Sequence, residues 1–277
     1  MKTLTGQNDD YTMSPVAFIR CQSYYRYEMP RQPEFSNIPA LIEFKKGQNF
    51  ETALADLKGF ERIWVIFVFH LNCRWSPKVR PPLSPDGAKY GVYATRSPHR
   101  PNRIGMSCVK LLKVEGNCLT IENSDMLDGT PVLDIKPYIP EVDSFPHSAA
   151  GWRDQLKEQE WHCCNILEDF YIKADFLKRS AGHDLESFAR IQLRYHPTDA
   201  ARKRVRLLHT NCYAIGFRTW QLIFTLDPAE KTYTLCDICS HYMPEELVPG
   251  SPDPYGDKDL HRAFLSSFAH QYRKKDL

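Results

Sequence analysis

Five short polar segments stand out in this sequence, because each lies at the end of a β-prone run or in a loop beside one. The segments are PRQP (30–33), FVFH (67–70), VRPP (79–82), ATRSPHRPNRIGMS (94–107) and SDMLDGTPVLDIKPY (124–138). Loops on a rigid sheet are where binding residues concentrate, and proline limits the entropy that a loop loses when it keeps one shape. A single Pro-Arg pair is usually a solvated turn. Five segments within residues 30–138 favour one shared pocket instead.

Several common catalytic motifs are absent from the sequence. It contains no G-x-G-x-x-G, no G-x-x-x-x-G-K-[ST], no H-E-x-x-H and no G-x-S-x-G. The glycine-rich nucleotide loop of Rossmann-type methyltransferases is therefore missing.

The apolar runs between the five segments predict short strands. These runs cover residues 15–20, 40–44, 63–69, 91–95, 106–114, 118–122 and 132–135. Gly, Pro, Asn or Asp separates them, and that density of short strands predicts a barrel or a sandwich. Residues 49–57 have apolar side chains at helical spacing, with Asn49 as a candidate N-cap, and predict one helix inserted between strands.

The pattern changes near residue 140, where the polar stretch 140–157 predicts a boundary. Further along, residues 169–179, 184–194 and 260–273 predict helices, and residues 212–217, 219–226 and 232–237 predict a three-stranded meander. We therefore expect a mainly β protein. An N-terminal β-barrel domain spans residues 14–145, and a smaller C-terminal α+β domain spans residues 160–277.

The composition is that of an ordinary soluble protein: 277 residues, 42% hydrophobic and 25% charged, with a net charge of +2. The longest apolar run is far shorter than the roughly 20 residues of a transmembrane helix, and the first residues resemble neither a secretory signal nor a transit peptide. We expect a cytoplasmic protein with no membrane partner. The nine cysteines are expected to be reduced thiols.

The five segments resemble the TrmO (YaeB/TsaA-like) family, whose pattern includes PRQP, FVFH, VRPP, ATRS, RPN-x-IG, DGTPV and DIKPY. The similarity covers about residues 14–140, and the C-terminal half resembles the family only loosely. The resemblance implies a β-barrel enzyme, usually a homodimer. Such an enzyme transfers the methyl group of S-adenosyl-L-methionine to N6 of N6-threonylcarbamoyladenosine, next to the tRNA anticodon.

The sequence departs from the family pattern at two places, conservatively in residues 125–131 and with an added charge at residue 103. Arg103 stands where the family usually has proline. We expect this change to loosen the loop or to add a phosphate contact.

The resemblance also implies which residues bind the cofactor. They are Arg31, Gln32, Pro33, Phe69, His70, Arg96, Asp125, Leu127, Asp128, Gly129 and Thr130. Arg31 or Arg96 offers a guanidinium fork for the cofactor carboxylate, and a surface ion pair is the less favoured alternative for either. The Asp128-Gly129-Thr130 turn offers ribose or adenine contacts, although a plain β-turn explains the same residues. Phe69 either stacks on adenine or belongs to the core.

His70 is the candidate catalytic residue. The acceptor nitrogen loses a proton during methyl transfer, and a neutral His70 is suited to accept it. A structural histidine explains His70 equally well. Because the sulfonium is already an activated electrophile, in-line positioning alone supplies about 7 to 11 kcal/mol of barrier reduction. No base is therefore assigned with certainty.

Basic clusters near aromatic residues predict RNA contacts, because phosphate contacts and base stacking need this mixture. With so small a net charge, RNA binding has to rest on such local clusters. The candidate residues are Arg74, Arg80, Arg100, Arg103, Arg202, Lys203 and Arg204. Any one basic run is also commonly a solvated face.

Residues 161–164 (WHCC) and 236–241 (CDICSH) resemble parts of a zinc site. A single C-x-x-C with a vicinal cysteine pair closes poorly around zinc, so no metal is assigned. Two functions remain as alternatives to tRNA methylation. One is a noncatalytic RNA- or partner-binding barrel, and the other is a methyltransferase for a non-tRNA substrate.

Overall fold

The apolar runs of the N-terminal half form strands that close into a barrel. The computed structural model describes residues 11–28, 39–81, 84, 87–155, 160–201 and 203–269. The chain divides into two units, Met1–Gly151 and Trp152–Leu277. The division falls inside the polar stretch 140–157. Within the described ranges, no helix is long and apolar enough to cross a membrane.

Six antiparallel strands of the first unit form the closed barrel, in the order β1-β2-β7-β6-β3-β8. The strands of this unit are β1 (Ala17–Arg20), β2 (Ala40–Phe44), β3 (Arg62–Val68), β4 (Lys78–Val79), β5 (Tyr90–Gly91), β6 (Ile104–Glu115), β7 (Cys118–Glu122) and β8 (Pro131–Pro137). Strand β3 shows the alternation expected of a barrel strand with one buried face. Ile63, Val65 and Phe67 are buried, and the residues between them are not. Most buried side chains of the barrel are apolar, although Ser107 of β6 and Thr130 are buried too.

The predicted helix 49–57 is present, but it begins differently from the prediction. It consists of α1 (Phe50–Leu54) and a 3-10 turn (Ala55–Leu57). Asn49 lies in the left-handed region at φ 57° and does not cap the helix. Its Oδ1 instead accepts a hydrogen bond from the Thr52 hydroxyl at 2.8 Å. Leu54 is buried in the barrel core.

The predicted strand 91–95 is wrong. Only Tyr90–Gly91 is extended, paired with β4, and Val92–Ala94 forms a 3-10 turn. The turn is held by side chains: Arg100 Nη1 donates to the carbonyls of Val92 (3.1 Å) and Thr95 (2.8 Å). The Thr95 hydroxyl also donates to the Val92 carbonyl. These contacts use carbonyl groups that a strand ladder would need.

The second unit is a five-stranded sheet with helices. Its strands are β9 (His162–Ile166), β10 (Val205–His209), β11 (Cys212–Phe217), β12 (Trp220–Asp227) and β13 (Thr232–Ser240), in the order β10-β11-β12-β13-β9. The predicted meander is confirmed as β11, β12 and β13. The two edge strands were not predicted, and β9 runs parallel to β13.

The three predicted helices of this unit are confirmed within the described residues. With the short α2 (Pro140–Asp143) of the first unit, the helices are α3 (Glu168–Ala181), α4 (Leu185–Leu193) and α5 (Lys258–Ser267). Asp184 caps α4, because its side chain accepts a hydrogen bond from the Ser187 N–H at 3.0 Å. Lys173 of α3 and Asp237 of β13 form a buried ion pair at 2.5 Å. The mainly β fold class, a barrel followed by a smaller α+β unit, is confirmed.

Candidate active site at the end of the barrel

A cavity of about 170 Å³ opens at one end of the barrel. It lies where β3 ends and where the loop before β8 returns to the barrel. Its lining residues are Arg26, Phe67, Val68, Phe69, His70, Leu71, Asn72, Pro98, Asp125, Met126, Leu127 and Thr130. Three of the five polar segments therefore contribute to one cavity, namely 67–70, 94–107 and 124–138.

The FVFH segment reaches the cavity because it forms the end of β3. The pairing of β3 with β8 shifts between Ile66 and Phe67, where Leu133 of β8 is left without a partner on β3. The Phe67 ring lies over Gly105, where an added Cβ would come within 2.4 Å of that ring. The Phe69 ring meets Phe67 edge to face at 5.1 Å between centroids. The glycine of the RPNRIG segment thus makes room for the aromatic wall of the cavity.

Asp125 places a carboxyl group in the cavity wall. The buried Ser107 hydroxyl of β6 donates to Asp125 Oδ1 at 2.6 Å. Burial raises the pKa of Asp125 above its usual value, while the Ser107 hydrogen bond and the charge of Arg96 act in the opposite direction. Arg96 itself is exposed and does not line the cavity.

The Asp128-Gly129-Thr130 turn is tied to β1. Asp128 Oδ1 accepts a hydrogen bond from the Cys21 N–H at 3.0 Å, and the Asp128 N–H donates to the Ser23 carbonyl at 2.9 Å. Gly129 has a φ of +72°, a conformation that favours glycine. The Asp128 carboxylate therefore fixes the turn, while the neighbouring Leu127 and Thr130 face the cavity.

His70 lines the cavity with a pKa below its ordinary value. Burial is the main cause, and the positive charge of Arg26 adds to it. A hydrogen bond to the Val68 carbonyl and the charge of Asp128 act in the opposite direction. His70 is therefore neutral at neutral pH, which is the form that accepts a proton.

Two polar residues of the cavity lining, Arg26 and Asn72, were not predicted as site residues from the sequence. Arg26, in a 3-10 turn (Arg26–Glu28), donates through Nη2 to the Leu71 carbonyl. Asn72 is buried, and its carbonyl accepts a hydrogen bond from Arg103 Nη1 at 3.0 Å. The Arg103 carbonyl in turn accepts from the Phe69 N–H at 2.8 Å. Arg103 therefore joins two cavity loops, and its hydrogen bond opposes the loosening that the sequence predicted.

The part of the chain that contains these motifs is similar to known proteins. Residues 18–144 match the family model described as the tRNA-methyltransferase O N-terminal domain. The tRNA (adenine(37)-N6)-methyltransferase of Escherichia coli K12 is 36% identical over 54% of this chain and 67% of its own length. The chain belongs to the TrmO family. The resemblance inferred from the motifs is confirmed.

Other members of the TrmO family show the extent of the likeness. The human tRNA (adenine(37)-N6)-methyltransferase is 45% identical over 58% of this chain, but the alignment spans only 37% of the human protein. The crystal structure of TrmO from Pseudomonas aeruginosa has a TM-score of 0.62 at 25% identity. That alignment covers 83% of this chain and 99% of the bacterial one.

The remaining candidate residues of this TrmO chain are spread over both units. Arg31, Gln32, Pro33 and Arg202 lie outside the described residues. Arg74 and Arg80 are exposed, and Arg100 holds the turn 92–95. In the second unit, the Lys203 ammonium donates to three carbonyls at and after the end of α4, those of Gln192, Tyr195 and His196. Arg204 Nη1 donates to the Arg218 carbonyl at 2.9 Å.

The cysteine segments are engaged in the second sheet. Cys164 Sγ lies 3.4 Å from the Tyr233 carbonyl, and Cys236 Sγ lies 3.4 Å from the Thr234 carbonyl. Among the residues that the structure describes, no three His, Cys, Asp or Glu side chains come together as metal ligands.

Proposed function

We propose that this protein is an S-adenosyl-L-methionine-dependent tRNA methyltransferase that methylates N6 of N6-threonylcarbamoyladenosine next to the anticodon. The observation that carries the proposal is the barrel-end cavity. It combines an aromatic wall, a carboxyl group, a guanidinium group and a neutral histidine in a barrel of the TrmO family. The relatives named above for tRNA adenine-N6 methylation support the same reaction.

The cavity residues fit the chemical groups of S-adenosyl-L-methionine. Phe69 and Leu127 offer apolar faces to an adenine ring, and Asp125 offers a carboxyl acceptor. Arg26 supplies a positive charge for the carboxylate of the cofactor. The sequence suggested this role for Arg31 or Arg96. The cofactor, when bound, supplies an electrophilic methyl group. We keep Arg31, Gln32, Pro33, Arg96, Asp128, Gly129 and Thr130 as the further cofactor residues that the family resemblance implies.

His70 is the proton acceptor in this proposal. Its lowered pKa keeps the imidazole neutral in the cavity. The Val68 carbonyl and the Asp128 carboxylate partly offset the effect of burial on the protonated form of His70. Phe67, Phe69 and Leu71 line the same space with apolar side chains.

The proposal assigns cofactor binding and tRNA binding to different domains. The N-terminal domain, residues 14–145, binds the cofactor, and the C-terminal domain, residues 160–277, positions the tRNA. Arg74, Arg80, Arg100, Arg103, Arg202, Lys203 and Arg204 are the RNA candidates, with Arg100, Arg103 and Lys203 also bonded within the protein. We further propose a cytoplasmic homodimer, as the family resemblance implies.

The test is methyl transfer from labelled S-adenosyl-L-methionine to tRNA that carries threonylcarbamoyladenosine and to the same tRNA without it. Nucleoside mass spectrometry should find the label on N6 of the modified nucleoside alone. Transfer to unmodified tRNA, or to a protein or small molecule, would replace the proposed substrate. Cofactor binding with no transfer to any RNA would support the noncatalytic alternative.

A further inference from the structure

A second cavity lies on the sheet of the second unit, away from the methyltransferase motifs in the sequence. It measures about 220 Å³ and is formed by β10, β11, β12 and His241. Small residues of β11, Ala214 and Gly216, leave the space. A Cβ added to Gly216 would lie 3.2 Å from Arg204 Nε, so the glycine lets the Arg204 side chain cross the sheet at that point.

The walls of this sheet cavity carry nitrogen donors. Arg204, Arg206, Gln221 and His241 all line it, and none of the described lining residues is acidic. Arg206 Nη2 donates to Gln221 Oε1 at 2.6 Å, and Gln221 Nε2 contacts His241 Nδ1. A guanidinium has five N–H donors in a rigid fork, and these contacts hold that of Arg206 in place. The cavity is therefore built for an acceptor with several oxygens.

Trp220 gives the cavity a built-in spectroscopic probe. It lines the same cavity, is 1% exposed and stacks on His261 with ring centroids 3.7 Å apart. Its Nε1 is buried and has no hydrogen-bond partner among the described residues. The indole N–H signal should therefore respond to a ligand that enters the cavity beside it.

We propose that the sheet cavity binds a phosphate group of the RNA backbone through Arg204, Arg206 and His241. The choice of RNA as the source rests on the proposed function. Phosphate suits the site because it is anionic and presents several acceptor oxygens to a bidentate guanidinium. Arg204 and Arg206 also end the basic segment 201–206, which favours a polyanion. Free phosphate has the same chemistry and is separated from RNA by experiment.

The experiment observes the indole N–H signals of the five tryptophans in the full chain by ¹⁵N NMR. The signal that disappears in Trp220→Phe, which keeps the aromatic stack, is that of Trp220. In phosphate-free buffer, an RNA hairpin with the sequence of a tRNA anticodon stem-loop should shift this signal. Arg206→Gln should weaken hairpin affinity about tenfold and reduce its salt slope by about one. Arg179→Gln removes an exposed arginine of α3 that pairs with Asp175, and should leave the affinity unchanged.

Each outcome decides the proposal. If neither the hairpin nor inorganic phosphate shifts the Trp220 signal, the proposal is overturned. A shift with inorganic phosphate alone overturns RNA as the source. If Trp220→Phe does not fold, equal hairpin affinities for Arg206→Gln and Arg179→Gln overturn it independently. A shift with the hairpin in a protein that transfers no methyl group to tRNA supports this site while the proposed function fails.

Discussion

The two units place their polar side chains differently. In the barrel, most buried side chains are apolar, and Asp125 and His70 lie in the cavity at one end. In the second unit, polar groups lie within the packed interior: Lys173 is paired with Asp237, and His261 is fully buried between Thr219 and Ser240 hydroxyls at 2.9 and 2.7 Å.

The difference separates the work of the polar groups. Those at the barrel end face a cavity, where a ligand can meet them, whereas those inside the second unit are bonded to one another. We therefore expect substitutions at the barrel end to change the reaction. Substitutions inside the second unit should change stability first.

The largest expected effect comes from the buried ion pair. Asp237→Ala leaves the Lys173 ammonium buried without its carboxylate and should lower the free energy of unfolding by about 3 to 5 kcal/mol. Urea unfolding measures this loss. Asp175→Ala, which removes an exposed partner of Arg179, should cost less than about 1 kcal/mol. Similar losses in the two variants would show that the second interior does not depend on its charges.

At the barrel end, His70→Ala should lower kcat for methyl transfer by about 10² to 10⁴-fold while the protein stays folded. Steady-state rates with threonylcarbamoylated tRNA measure it, and His147→Ala, an exposed histidine of the same unit, is the control. Because the pKa of His70 is lowered, the acid limb of the wild-type profile should lie below pH 6.5. An unchanged kcat would assign His70 a structural role.

Acid should weaken the second unit. Burial lowers the pKa of His261 to about 4, although Asp257 and Asp253 oppose the shift. The unfolded chain takes up this proton near pH 6.5 and the folded chain only near 4, so stability is constant above 6.5 and falls between these values. The loss from pH 7 to pH 5 should be about 2 kcal/mol.

Burial and the charge of Arg218 lower the pKa of His183 to about 4 as well, which adds to this acid sensitivity. Urea unfolding at the two pH values, followed by a probe in the second unit, measures it. The His261→Gln variant should lose less stability on acidification than the wild type. An equal loss in both proteins would remove His261 from the account.

The smallest expected effect concerns Arg103. Removing its hydrogen bond to the Asn72 carbonyl in Arg103→Ala should weaken binding of S-adenosylhomocysteine by up to about tenfold, since such a bond contributes on the order of 1 kcal/mol. Calorimetry measures the affinity. Arg20→Ala, on β1 and paired with Glu43, is the control. Equal affinities for the two variants would mean that the cavity loops keep their positions without Arg103.

The sequence predicted the strands with regular alternation best. Residues 40–44, 118–122 and 212–217 form strands with the predicted bounds. Strands β9 and β10 escaped prediction because edge strands need no buried face, and β10 exposes Leu207 and Leu208. Strand 91–95 failed because Arg100, which bends it, acts from outside the segment.

The candidate site was predicted only where motifs carry it. Phe69, His70, Asp125, Leu127 and Thr130 line one cavity, as the motif residues of one pocket should. Arg26 belongs to no motif, and its place depends on the carbonyl of Leu71, 45 residues away. The bond from the Cys21 N–H to Asp128 spans 107 residues. Local patterns do not contain contacts at such separations.

The barrel-end cavity is expected to hold the methyl donor. A crystal structure of the full chain with S-adenosylhomocysteine would show whether it does. The ligand should contact Phe69, Asp125 and Leu127, with its sulfur open toward His70. A ligand bound elsewhere on the protein, with this cavity empty, would rule out the cavity as the methyl-donor site.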